Sequence, residues 1–150
     1  MRRFQFSLEK ILELKAYREQ ETELALGRAV GELSAIENRL KELALLSRRA
    51  WDEYRNPQAP AASGNLADYY RSCDLYIRRL DQTKEELLQE AAQAQARVEQ
   101  ARAVFLEASR ERKVLDKLKE KRAGEYRKTL LAAETRILDD MVKFSPSTLA

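Results

Sequence analysis

Histidine is absent from this 150-residue chain. With it go the commonest general acid–base group and the commonest metal ligand. Cysteine occurs once, at Cys73, so no intrachain disulfide can form and a cysteine-rich zinc site is excluded. Such sparing use of cysteine leads us to expect an intracellular setting. The four glycines are scattered, and Gly27 and Gly31 lack the Lys-Ser or Lys-Thr that follows a phosphate-binding loop. Carboxylates do sit side by side at Glu85-Glu86 and Asp139-Asp140, but adjacent residues on a helix point about 100° apart and cannot share one substrate atom. No catalysis, cofactor or metal ion is expected.

Long apolar runs are also missing. No uncharged stretch approaches the ~18 residues of a membrane span. The opening Met1-Arg2-Arg3-Phe4-Gln5-Phe6 carries basic residues, but Glu9 and Lys10 interrupt it before an apolar segment forms, unlike a signal peptide. Aromatics are only 7% of the chain against 35% charged residues, a mixture that favours a seam between helices over a many-layered core. The 28 basic and 25 acidic residues nearly balance, as on a solvated surface with interleaved signs.

Proline is the third scarcity, and its placement organises the chain. Pro57 and Pro60 fall within Asn56–Asn65, and Pro146 lies near the end, so 1–56 and 66–145 are proline-free. Proline lacks the N–H and clashes with the preceding helical turn, so a helix must stop here. Asn65, with Asp68 three residues on, reads as the cap of the next helix. The expected fold is all-α: a two-helix antiparallel coiled-coil hairpin, with helix one over about 7–56, a bend at 57–64, a longer helix two over about 65–144 and a frayed tail at 145–150. Ser7 is a suitable cap for helix one, and Phe6 with Ile11 suits a hydrophobic staple.

Within helix one Leu26, Ala29, Leu33, Ile36, Leu40, Leu43, Ser47, Ala50 and Tyr54 recur with 3-4 spacing, a heptad seam. Carried upstream, that phase lands on Thr22, Glu19 and Lys15. The apolar residues there are Leu14, Tyr17 and Leu24, which predicts a stutter or a partner-facing stretch. Helix two repeats the spacing from Leu66 through Tyr70, Cys73, Ile77, Leu80 and Leu87 to Phe105 and Leu115, with breaks at Lys84 and Arg112. Pairing residues whose numbers add to about 120 joins the seams: Tyr54 to Leu66, Leu43 to Ile77, Leu33 to Leu87. About thirty residues of helix two then overhang helix one, carrying the apolar stripe Leu118, Tyr126, Leu130, Ala133, Ile137, Met141 and Phe144. A lone amphipathic helix of that length is marginal in water. It must fold back, self-associate or bind something else, unless helix two breaks and the register differs.

Two further features remain. Leu45, Leu46, Leu75 and Tyr76 fall outside the seam at one level near the bend, with Trp51, Tyr54, Tyr69 and Tyr70 close by. They form either a docking surface or a small local core. Arg110–Lys128 holds nine basic and four acidic residues, an excess of +5. Phosphate contacts need only clustered cations, but the acids alternate with the bases and only Tyr126 offers stacking, so an acidic protein surface is expected over nucleic acid.

The opening Phe4-Gln5-Phe6-Ser7-Leu8-Glu9-Lys10-Ile11-Leu12 resembles the start of the FliJ family of bacterial flagellar export proteins. Tyr76-Ile77-Arg78-Arg79-Leu80, Leu118-Lys119-Glu120-Lys121-Arg122, and Glu134 with Leu138-Asp139-Asp140 are similar to later parts of that family. The resemblance implies an antiparallel coiled coil like the central stalk of rotary ATPases, acting without catalysis in the flagellar type III export apparatus. It implies three partners: the export ATPase ring, the cytoplasmic region of the membrane export gate, and export chaperones. It places the protein in the cytoplasm, peripheral to the membrane at the flagellar base. Gate binding would fall to Leu45, Leu46, Trp51, Tyr54, Leu75, Tyr76 and Leu80. Docking into the ring would fall to Leu118, Lys121, Arg122, Tyr126, Leu130, Ile137 and Met141. The alternative is a generic coiled-coil scaffold that self-associates through its C-terminal helix.

Overall fold

A computed structural model describes residues 2–57 and 65–144. All of the expected bend at 57–64 except Pro57, and the tail at 145–150, lie outside them. Two helices account for almost all of the described chain, α1 (Glu9–Arg55) and α2 (Leu66–Phe144), and the fold is an all-α hairpin. Asn65 caps α2: the Ala67 N–H donates to Asn65 Oδ1 at 3.2 Å, and the Asp68 N–H donates to its carbonyl at 3.0 Å. Helix α1 begins differently from expectation. The Glu9 N–H donates to the Phe6 carbonyl at 3.1 Å, while the Ser7 hydroxyl accepts from Arg122 Nη1 at 2.9 Å. Phe6 is buried and Ile11 is 45% exposed, so the proposed staple is replaced by packing of Phe6 toward α2.

The chain divides into two compact units, residues 22–105 and residues 1–21 with 106–150. In the first unit the heptad seam is realised. Leu26 to Tyr54 at 3-4 spacing are buried or half-buried, and every residue between them is exposed. Leu43, Ala50, Ile77 and Leu80 form its core cluster, with Tyr54 and Leu87 packed against it. Leu66 is 57% exposed and outside the seam, because Tyr54 meets Tyr70 instead, with ring centroids 5.3 Å apart.

That contact corrects the register. Observed partners have numbers that add to between 124 (Tyr54 with Tyr70) and 131 (Glu19 with Arg112), about one heptad beyond the expected 120. Glu32 with Arg97 in the same unit, and Glu9 with Lys119 in the other, fall between these limits. A slip of seven residues superimposes every a and d position on another, so apolar spacing alone cannot choose between the two registers.

The unit formed by residues 1–21 and 106–150 shows what does choose. The burial pattern there contains no stutter. Lys15 and Glu19 continue the seam as half-buried residues and Leu12 is buried, whereas Leu14 and Tyr17 are more than 60% exposed. The charged seam residues are paired. Lys15 Nζ lies 2.7 Å from Glu111 Oε2, and Glu19 holds the Arg112 guanidinium through Nε and Nη2. Arg112 also contacts Asp116, and Lys119 Nζ lies 2.8 Å from Glu9. The interruption at Arg112 in one helix therefore meets the polar stretch of the other. In the expected register Lys15 would face Phe105 and Glu19 would face Ala101. A half-buried charge set against an apolar residue loses hydration and gains no counter-charge, so the charged layer disfavours that register.

Replacing Lys15, Glu19 and Arg112 together by leucine should leave the hairpin helical while removing this choice. In a Cys73→Ser background, Leu33→Cys with Ala94→Cys reports the observed register, and Leu33→Cys with Leu87→Cys the one a heptad away. The parent should form only the first disulfide, the leucine variant both; a variant still confined to the first would show that the charges do not set register. Gly27, Gly31 and Gly124 sit mid-helix with no heavy atom within 4 Å of a built Cβ. Alanine at each should stabilise the fold by roughly 0.5–1 kcal/mol, measured by urea unfolding.

Candidate docking surfaces

Near the bend, in the unit of residues 22–105, aromatic rings close the end of the seam. Trp51 stands edge-on to Tyr54 at 5.8 Å, Tyr54 to Tyr70 at 5.3 Å, and Tyr70 to Tyr69 at 5.6 Å. Such tilted contacts let the positive ring edge meet the negative face. The Tyr69 phenol is held above its ordinary pKa chiefly by its hydrogen bond with Cys73. This ladder leaves its three tyrosines half-buried and Trp51 exposed.

It does not absorb the neighbouring apolar residues. Leu45, Leu46, Leu75 and Tyr76 are 43–56% exposed, and Trp51 keeps 42% of its surface free. The corrected register spreads them: Leu45 and Leu75 lie about a heptad apart along the helices instead of level. Leu46 and Tyr76 each precede a seam residue and flank one side of the seam, whereas Trp51 follows Ala50 and flanks the other. Leu80, expected on this surface, is a core residue at 8% exposure, and Tyr54 is half-buried within the ladder.

In the unit of residues 1–21 with 106–150, the segment before α1 lies along α2. The Tyr126 hydroxyl donates to the Arg2 carbonyl, and its ring packs against Phe4 at 5.6 Å. The Arg122 guanidinium stands 5.7 Å over the Phe6 ring, where the π face attracts the cation. Two residues expected to dock a partner, Arg122 and Tyr126, are thus engaged by the chain itself. Leu118 and Leu130 are half-buried; Lys121, Ile137 and Met141 are exposed. Coverage by the N-terminal segment reaches Tyr126, so the uncovered part of α2 is about half the thirty residues anticipated.

Every residue from 131 to 144 is exposed. Ile137, Met141 and Phe144 continue the face of Leu130, and a second row, Leu131, Leu138 and Val142, runs beside it, all six 54–86% exposed. At 100° per residue the two rows together span about half the helix circumference. The second row went unnoticed in the sequence because only the seam phase was followed. Its signal was the i, i+7, i+11 spacing.

The described residues hold no cluster of three or more carboxylate, thiol or imidazole groups placed to bind a metal ion. No described helix is long and apolar enough to cross a membrane. What these surfaces offer is exposed apolar area.

The family model for the flagellar FliJ protein matches residues 4–147. The chain belongs to the FliJ family. That span includes the N-terminal segment on α2, both helices and the uncovered stretch. Neither the curated proteins nor the solved structures give a match. FliJ membership makes this a flagellar export-related protein, from a family that is a non-enzymatic component of the export machinery.

The charged layer should set the acid stability of this FliJ chain. Glu19 titrates below its ordinary value of 4.5, chiefly through its hydrogen bond from Arg112, and Glu111 is lowered chiefly by its hydrogen bond from Lys15. Both carboxylates are ionised more readily folded than unfolded. Their contribution is therefore present above pH 4.5 and lost as pH falls below it. In thermal melts, Glu19→Gln with Glu111→Gln should melt lower than the parent at neutral pH and lose less on acidification below that point.

Proposed function

We propose that this protein is a non-catalytic stalk or adaptor of the flagellar type III export apparatus, working in the cytoplasm at the flagellar base. The face of 131–144 docks into the export ATPase ring. Leu45, Leu46, Leu75, Tyr76 and the free edge of Trp51 meet the cytoplasmic region of the export gate, and export chaperones are a third class of partner. One observation carries the reading: α2 continues for fourteen exposed residues with a double apolar row that no part of the described chain covers. Water gives such a helix little reason to stay helical, and a partner groove supplies the missing burial. Proline-free helices zipped by a seam suit a part that transmits position between partners, because a seam resists bending where a loop would not.

The same face also favours a second reading, self-association of two copies through 131–144. Sedimentation against concentration separates the two: a mass that rises with concentration and falls back in Ile137→Asp supports the second. For the first, purified export ATPase and gate cytoplasmic domain are tested for binding to the full chain. Ile137→Asp with Met141→Asp should lose the ATPase and keep the gate, and Leu46→Asp with Tyr76→Asp the reverse. Retention of both partners by both variants would sink the proposal.

A further inference from the structure

One apolar cluster belongs neither to the seam nor to either surface above. In the unit of residues 1–21 with 106–150, Leu14 is 67% exposed, Val114 66% and Ile11 45%, and Leu118 is half-buried. The four are level. The ion pairs Glu9–Lys119 and Lys15–Glu111 bracket them on both helices, so Ile11 stands across from Leu118 and Leu14 across from Val114. They also share a side. In an antiparallel pair the residues immediately preceding the a positions face one another across the seam, as Glu32 and Arg97 do in the other unit. Ile11 and Leu118 occupy these positions beside Leu12 and Lys119, and Leu14 and Val114 lie just outside them. The result is two short apolar ridges, Ile11–Leu14 on α1 and Val114–Leu118 on α2, with a groove between. Ridges at i, i+3 and i, i+4 are what a third helix packs into.

The rim of this groove is positive. Lys10 precedes Leu14 by one turn, and Lys117 and Lys121 follow Val114 by one and two turns; among the described residues none of the three has an ion-pair partner. The acids on the same side are engaged: Glu111 with Lys15, Glu107 with Arg110 at 4.0 Å, and Glu21 with the Tyr17 hydroxyl. Glu125 lies a further turn along α2 from Lys121. Free cations beside an apolar centre favour an occupant that brings carboxylates to the flanks of an apolar stripe. We propose that this lateral groove binds an acidic amphipathic α-helix of a partner protein, at a site separate from the tip and from 131–144. The leucine and tyrosine spacing at Leu14 and Tyr17, which in the sequence suggests a stutter or a partner-facing stretch, is on this reading a second binding row carried on the outside of the seam.

The test uses the full chain and two synthetic helical peptides of about five turns sharing one leucine stripe, flanked by glutamate in one and lysine in the other. Fluorescence anisotropy should show the glutamate peptide binding about tenfold tighter, with the margin shrinking as salt rises. Leu14→Ser with Val114→Ser, both exposed and outside the seam, should weaken it about tenfold with unchanged helicity. Ile137→Ser with Met141→Ser should leave it alone. Lys117→Glu with Lys121→Glu should invert the preference. Equal binding of the two peptides overturns the proposal. So does indifference to Leu14 and Val114, or loss only on substituting Ile137 and Met141. A chain whose self-association depends on Leu14 and Val114 would instead make a second copy the occupant, and the proposal would fall.

Discussion

The half-buried charge layer of Glu19, Arg112, Lys15, Glu111 and Asp116 is the constraint on which the rest of this structure depends. A regular heptad seam is degenerate: sliding one helix by seven residues keeps leucine against leucine at nearly constant burial. Charges break that degeneracy because each needs one particular partner. Their side chains are 17–39% exposed, dry enough for a missing partner to be felt and wet enough for the pairs themselves to add little net stability. The layer therefore acts mainly on specificity. Ser109, the buried polar residue among those described, hydrogen-bonds Glu19 and helps lower its pKa.

Register in turn decides how much of α2 is free. With Glu9 at Lys119 and Ser7 at Arg122, the residues before α1 reach Tyr126, and Phe4, Phe6 and Arg2 spend their contacts there. A heptad slip would shorten that coverage by seven residues, about 10 Å of helix. Phe6 alone is as buried as the core leucines, so the non-helical N-terminal segment is a structural part of the hairpin. The boundary between covered and uncovered helix is thus set by pairings far from the uncovered residues themselves.

Much of this was legible in the sequence, and the failures share one cause. The two helices, the Asn65 cap and the seam from Leu26 to Tyr54 follow from proline placement and 3-4 spacing, both local signals. The family resemblance at Phe4-Gln5-Phe6-Ser7 was readable too, and the family match over residues 4–147 bears it out. The charged seam was missed because a phase was judged by where the apolar residues lie. At Lys15 and Glu19 the helix keeps its phase and puts charge inside, and only the sequence of the other helix, at Glu111 and Arg112, explains it. Leu80 was assigned to a surface for a related reason: motif membership says nothing about which face of a helix a residue takes. The N-terminal segment defeated the staple expectation because its partner, Arg122, is more than a hundred residues away.

A two-helix hairpin has one seam, and the seam consumes only two positions in seven. Most of the other five face solvent, so an apolar residue left exposed there adds little to the fold of this chain and adds a liability to aggregation. Leu14, Val114, Leu131, Leu138 and Val142 are all of this kind, each more than 60% exposed. Single exposed leucines would be unremarkable; rows of them at helical spacing are not, because independent surface positions have no reason to share a periodicity of 3.6. Propensity for helix could be met at each of these sites by glutamate, lysine or alanine, which this chain uses freely elsewhere. The residues chosen instead are ones that the described chain leaves exposed. For that reason the exposed rows, more than the seam, bear on what a FliJ chain does.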